Sequence, residues 1–204
     1  MESLQGRVEG WKHERPSRIW VVTEGPTRWT NVDIFQGHGM AEIVSAIRPS
    51  LETMKMGVTV WPLVNERNVR RVLGGEDGEA PYLLIAMHGD TGRLILAPGS
   101  STPGFTSAFS MPEVRTMLRV PGKVVIAMGC ASGTREWADV YLDAGATDYI
   151  APAEAPFAHS ASLLVILLFY ALTQGRELSE AVEAARNVDS ELAMWRHFRA
   201  DATT

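Results

Sequence analysis

Two stretches of this chain, Tyr82-Leu83-Leu84-Ile85-Ala86-Met87 and Val124-Val125-Ile126-Ala127-Met128, are apolar at every position. A strand with one face in water alternates apolar and polar residues, whereas one without alternation must be covered on both faces. Such strands are buried by helices laid over both sides of a parallel sheet. The rest of the sequence supplies the covering. Met40, Ile43, Val44, Ile47, Leu51 and Met54 recur at the spacing of one helix face, with Pro49 expected to kink or split that helix. A short charged helix is expected over residues 66–73, closed by Gly74-Gly75. Ser110 stands three residues before Glu113, a capping box that opens a helix to about Leu118. Further helices are expected at 134–144 and 157–173. A last one carries Leu178, Ala181, Val182, Ala185, Val188, Leu192 and Trp195 on one face. Residues 19–23, 58–61 and 147–151 read as further strands, and 93–96 as a small hairpin arm. The fold class is therefore α/β, a three-layer sandwich with a mostly parallel central sheet. At 204 residues without a long linker, one domain over 1–204 is expected.

Charge and composition exclude several functions. Lys plus Arg number 19 and Asp plus Glu 24, a net charge of -5 with no basic run, so direct binding to nucleic acid is not expected. The longest apolar stretch, 163–172, falls short of the roughly 20 residues that span a bilayer. The first residues, MESLQGRVEGWKHERP, are polar and mixed in charge, unlike a signal peptide. One cysteine makes neither an internal disulfide nor a cysteine zinc cluster. A cytoplasmic protein is expected, with no metal and no cofactor.

Functional residues in parallel sheets gather where strands end. Here one buried strand runs into His88-Gly89 and the other into Gly129-Cys130, 42 residues apart from His88 to Cys130. If the two strands are neighbours, an imidazole and a thiol emerge at one edge. A thiolate is a strong nucleophile, and an imidazole can take its proton and return it to a leaving amine. The backbone N–H groups of Gly89 and Cys130 could then receive a carbonyl oxygen as it becomes negative. Alone, a cysteine at a strand end is usually a small hydrophobe. The pairing is what points to catalysis.

The segments PYLLIAMHGDTGRLILAPG (81–99), FSMPEVRTMLRVPGKVVIAMGCASG (109–133) and WADVYLDAGATDYIAP (137–152) resemble the caspase-like cysteine peptidases, specifically the bacterial CHAT type. So does LLVILLFYALTQGRELSEAVEAAR (163–186), and the likeness covers about residues 80 to 190. It implies a caspase-like fold and a cysteine endopeptidase. Cys130 would be the nucleophile, His88 the general base and acid, and Gly89 and Cys130 the backbone oxyanion donors, with no third carboxylate. It also implies a protein or peptide substrate, control by a regulatory partner or by self-association, and a place in a bacterial defence or signalling system. The cysteine context Met128-Gly129-Cys130-Ala131-Ser132 differs from the Ser-Ala-Cys usual in that group. That difference motivates a second reading, a catalytically inactive interaction module.

Asp90, Asp148 and Glu154 are expected at strand ends on the same edge, where one could hold a basic residue of a substrate. A third reading follows from the order Cys130, Asp148, His159, which is that of the α/β-hydrolases and would make a thiol esterase. The elbow does not fit, because Met128-Gly129-Cys130-Ala131-Ser132 lacks both flanking glycines at the required offsets. Gly37-His38-Gly39 reads as a turn, since the later glycine and lysine of a phosphate loop are missing. His13 and His197 are expected to be solvated. Trp20, Trp61 and Trp195 read as core, while Trp11 and Trp29 sit among polar residues. Residues 99–110, rich in Gly, Ser, Thr and Pro, are expected to order over the site when a partner binds.

Overall fold

A computed structural model describes residues 29–96 and 108–200. Along the chain these form β1 (Thr30–Gln36), α1 (Ala41–Thr53), β2 (Met56–Pro62), α2 (Glu66–Leu73), β3 (Tyr82–Ala86), β4 (His88–Gly89), β5 (Arg93–Ile95) and β6 (Ala108–Ser110). There follow α3 (Met111–Met117), β7 (Val124–Ala127), α4 (Arg135–Asp143), β8 (Asp148–Pro152), α5 (Ala158–Thr173), α6 (Leu178–Arg186), α7 (Ser190–Ala193) and β9 (Trp195–Arg199). The six-stranded central sheet has the order β2-β1-β3-β7-β8-β9, with every neighbouring pair parallel except β8–β9. A separate antiparallel arm, β4-β5-β6, branches off after β3.

Both apolar runs are central strands, as their lack of alternation requires. Successive residues of β3 and β7 enter opposite cores. Leu84, Ala86 and Ile126 pack with Val44, Ile47, Leu164 and Leu168, under α1 and α5. Leu83, Ile85, Val125 and Ala127 pack with Val69, Val114, Trp137 and Tyr141, under α2, α3 and α4. The result is the three-layer arrangement expected from the sequence. The Ser110–Glu113 capping box is formed, with the Ser110 N–H donating to the Glu113 carboxylate at 2.7 Å.

Several local expectations are corrected. Pro49 does not split the helix: α1 runs unbroken from Ala41 to Thr53, with Pro49 and Ser45 on its exposed face. On an exposed face, water can take up the carbonyl that the missing N–H leaves without a partner. Strand β1, Thr-Asn-Val-Asp-Ile-Phe-Gln, was hidden by its polar residues. Its Asp33 is buried and accepts from Trp61 Nε1 (3.0 Å) and the Ala80 N–H (2.8 Å), which satisfies the carboxylate inside the protein. The strand expected at 19–23 lies outside the described residues, as do Trp11, Trp20 and His13. The expected last helix ends at Arg186. Asp189 caps a new short helix by accepting from the Leu192 N–H (2.8 Å), and Trp195 begins an antiparallel edge strand.

That strand also removes His197 from solvent. Its side chain is 11% exposed, and its Nε2 donates to Asp148 Oδ1 at 2.7 Å; Arg199 Nε lies 3.3 Å from the same oxygen. Burial pushes the Asp148 carboxyl up, but hydrogen bonds from His197 and Thr147 and the charges of His197 and Arg199 outweigh it, so its titration is lowered. A carboxylate lowered in the folded state adds stability above its unfolded value, about 3.9, and loses it as pH falls through the folded value. Asp148→Asn should therefore cost about 2 kcal/mol at neutral pH. Urea titrations of the two proteins should converge in acid below about pH 4. A pH-independent difference would show that the charge of Asp148 contributes nothing.

Candidate active site

β3 and β7 are hydrogen-bonded neighbours, with Ile85 opposite Ala127 and the Met128 N–H donating to the Ile85 carbonyl at 3.0 Å. Both run in the same direction, so His88-Gly89 and Gly129-Cys130 leave the sheet at one edge, side by side. Two glycines let the backbones touch there. A Cβ on Gly129 would lie 3.2 Å from both Cα and N of Gly89 and 3.4 Å from the His88 carbonyl carbon. A Cβ on Gly89 would lie 3.3 Å from Gly129 Cα and 3.4 Å from the Cys130 carbonyl oxygen. Any side chain at either position would wedge the two segments apart. His88 and Cys130 are each half-buried, reachable from solvent yet backed by core. Among the described residues the Cys130 N–H has no hydrogen-bond acceptor, leaving it as a donor for a ligand oxygen. Among the same residues no carboxylate hydrogen-bonds the His88 ring, and no group of three or more His, Cys, Asp or Glu could hold a metal ion.

The loop after Cys130 is fixed from the neighbouring strand. Ala131 takes φ +52°, a left-handed conformation costly for a residue with a Cβ. Backbone bonds hold it there: the Ala131 N–H donates to the Glu154 carbonyl (2.8 Å) and the Gly133 N–H to the Pro152 carbonyl (2.7 Å). The buried Ser132 donates from Oγ to the Gly129 carbonyl (2.6 Å), and the Tyr149 hydroxyl donates to the Ser132 carbonyl (3.0 Å). Tyr149 stacks on Tyr141 with ring centroids 4.5 Å apart. Burial pushes both phenols up, and for Tyr149 the adjacent Tyr141 adds to that while the Ser132 bond opposes it. Both stay neutral hydroxyls. Trp137, at the first turn of α4, donates from Nε1 to the Asp90 carbonyl (3.1 Å) and so pins the loop after His88 to the helix after Cys130.

Of the three carboxylates expected at this edge, Asp90 and Glu154 lie there and Asp148 does not. Asp148 begins β8, opposite Val124 at the start of β7, and so lies at the far edge of the sheet, tied to His197. That corrects the expectation that Asp148 shares the edge of Cys130, and it also separates it from His159, so Cys130, Asp148 and His159 do not assemble as a hydrolase triad. His159 is exposed at the start of α5, stacked on Phe157 with centroids 5.6 Å apart. Asp90 follows Gly89, but its carboxylate is turned onto its own loop. It accepts from the Gly92 N–H (2.9 Å) and from Arg93 Nε and Nη2 (2.9 and 2.8 Å). The Gly92 bond first, then Arg93, holds that carboxyl below the usual range. Glu154 follows β8 at the Cys130 edge, with its carbonyl bonded to Ala131 and its side chain exposed. The loop expected to close over the site is undescribed except at its end, where Ala108, Phe109 and Ser110 form β6. Sequence reasoning missed Ser132 and Tyr149 as supports of the cysteine loop, and a strand residue three positions from Pro152 carries no local signal for that role.

No family model matches the chain, and no curated protein matches it in sequence. Solved structures do match. Separase in the Saccharomyces cerevisiae separase–securin complex aligns with a TM-score of 0.53 at 11% identity, covering 84% of this chain and 12% of that one. The Arg-specific cysteine proteinase gingipain R aligns at 0.54 and 13% identity, covering 85% of this chain and 47% of that one. The complex of the pro- and mature domains of Porphyromonas gingivalis RgpB gives 0.54 at 14% identity, covering 85% and 48%. The fold is caspase-like. This chain thus spans about an eighth of the separase chain and about half of the gingipain chain. No helix among the described residues is long and apolar enough to cross a membrane.

Proposed function

We propose that this protein is a caspase-like cysteine endopeptidase of the CHAT type, with Cys130 as nucleophile and His88 as general base and acid. The observation that carries the reading is the contact between Gly89 and Gly129, which brings a His-Gly and a Gly-Cys segment together at one edge of a caspase-like sheet. In the first step the Cys130 thiol gives its proton to His88, and its sulfur attacks the peptide carbonyl. The developing oxyanion is received by the N–H groups of Gly89 and Cys130, a contribution of roughly 100- to 1000-fold per donor. Collapse expels the amine, which takes the proton from His88. Water, deprotonated by the same imidazole, then hydrolyses the thioester. The rigid cysteine loop supports this role, because a fixed nucleophile loses little entropy on reaction.

Glu154, exposed at the same edge, favours a basic residue before the cleaved bond; Asp90 is already neutralised by Arg93. A protein partner would control access through residues 99–110, in keeping with the protein complexes in which separase and RgpB were solved. Such a gated peptidase suits a bacterial defence or signalling system. The test is a peptide library, with and without candidate partners, read by mass spectrometry on wild type and Cys130→Ala. Cleavage by wild type alone, with acyl mass trapped on Cys130, is expected. If nothing is cut, and iodoacetamide labels Cys130 equally fast in wild type and His88→Ala, the interaction-module reading replaces this one.

A further inference from the structure

The turn Gly37-His38-Gly39 joins β1 to α1 and is used by none of the steps above. It is held between the strand that precedes His88 and the arm that follows it. The Gly37 N–H donates to the Ala86 carbonyl (2.8 Å), and the His38 N–H donates to the Leu96 carbonyl (3.1 Å). A Cβ on Gly37 would lie 2.9 Å from Met87 Cγ, so the turn presses directly on the residue before His88. Gly39 takes φ +80°, and a Cβ there would lie 3.3 Å from His88 Nε2, inside ordinary contact distance. The imidazole thus has one wall made of glycine backbone, and the turn forming that wall is fixed to both sides of the histidine.

We propose that Gly39 is a positioning residue for His88: the absence of a side chain there seats the imidazole at the distance from Cys130 that proton transfer needs. The proposal rests on the peptidase reading above. A methyl group at position 39 would displace the ring by a few tenths of an ångström, and misplacements approaching 1 Å cost about 100-fold in rate. The natural control is Gly175, which has the same φ of +80° but no heavy atom within 4 Å of its Cβ position. Alanine strains the backbone at both sites and meets the histidine at only one.

The experiment compares Gly39→Ala with Gly175→Ala in the full chain. Peptide turnover is measured where cleavage occurs, and the His88 imidazole resonances are recorded by NMR in a Cys130→Ala background, assigned against His88→Ala. In Gly39→Ala, kcat should fall about tenfold with KM changed less than about twofold, and the His88 resonances should move. Gly175→Ala should change neither. Equal losses of kcat in the two variants would overturn the proposal, because backbone strain would then explain both. So would His88 resonances in Gly39→Ala that match those of Gly175→Ala. If no peptide is cut by the wild type, the peptidase reading fails and the resonances alone decide the position of the ring.

Discussion

His88→Ala should lower peptide turnover by roughly three orders of magnitude, within the usual range for loss of a general base, and leave the fold intact. The half-buried ring has no hydrogen-bond partner among the described residues, so its removal orphans no polar group among them. His159→Ala should keep most of the activity, since that ring is exposed and stacked on Phe157 rather than held near Cys130. Turnover by each variant, beside its circular dichroism spectrum and melting temperature, separates the two histidines. Activity that survives in His88→Ala and disappears in His159→Ala would reject the His88–Cys130 pair.

Gly133→Ala should be strongly destabilising. Its Cβ would lie 2.5 Å from the Ala151 carbonyl oxygen, 2.7 Å from the Pro152 carbonyl carbon and 2.8 Å from the Ala153 nitrogen. All three are backbone atoms at the end of a central strand, and no side-chain rotation relieves the clash. The loop must lift, breaking the bonds from Gly133 to Pro152 and from Ala131 to Glu154. A cost of about 3 kcal/mol is expected from overpacking of this kind. Gly92→Ala, where a Cβ meets nothing within 4 Å, serves as the control in the same urea titration. Equal stability of the two variants would show that the cysteine loop is not fixed through β8.

The layers of the fold could be read from the chain because β3 and β7 are apolar at consecutive positions, and only cover on both faces satisfies such strands. The helix starts were legible where a side chain caps them, as Ser110 with Glu113 and Thr134 with the Trp137 N–H do. β1 was not legible, because Asn31 and Asp33 interrupt its apolar pattern and the compensation for Asp33 comes from Trp61 and Ala80, distant in sequence. Trp195 misled in the opposite way. It fits the helical spacing of Leu178 to Leu192, but Asp189 stops and restarts the helix, and pairing with β8 makes Trp195 a strand residue. The meeting of His88-Gly89 with Gly129-Cys130 was legible because each segment ends one of the two apolar strands, which pair as neighbours. Asp148 was not legible as remote from the site, because a five-residue strand has its two ends on opposite borders of the sheet and Asp148 stands at the first.

The loop that carries Cys130 is fastened to β8, and β8 in turn is closed by β9, with the Ala153 N–H donating to the Met194 carbonyl at 2.9 Å. The Cys130 loop and the β9 border of the sheet are therefore expected to open together. Fraying of residues 195–199, by protease nicking or by a ligand that peels the strand away, would slacken the thiol loop before the rest of the sheet gave way. On the proposed peptidase reading, damage at that remote border would lower activity before global unfolding, and a molecule that clamps the border would raise it without touching either His88 or Cys130.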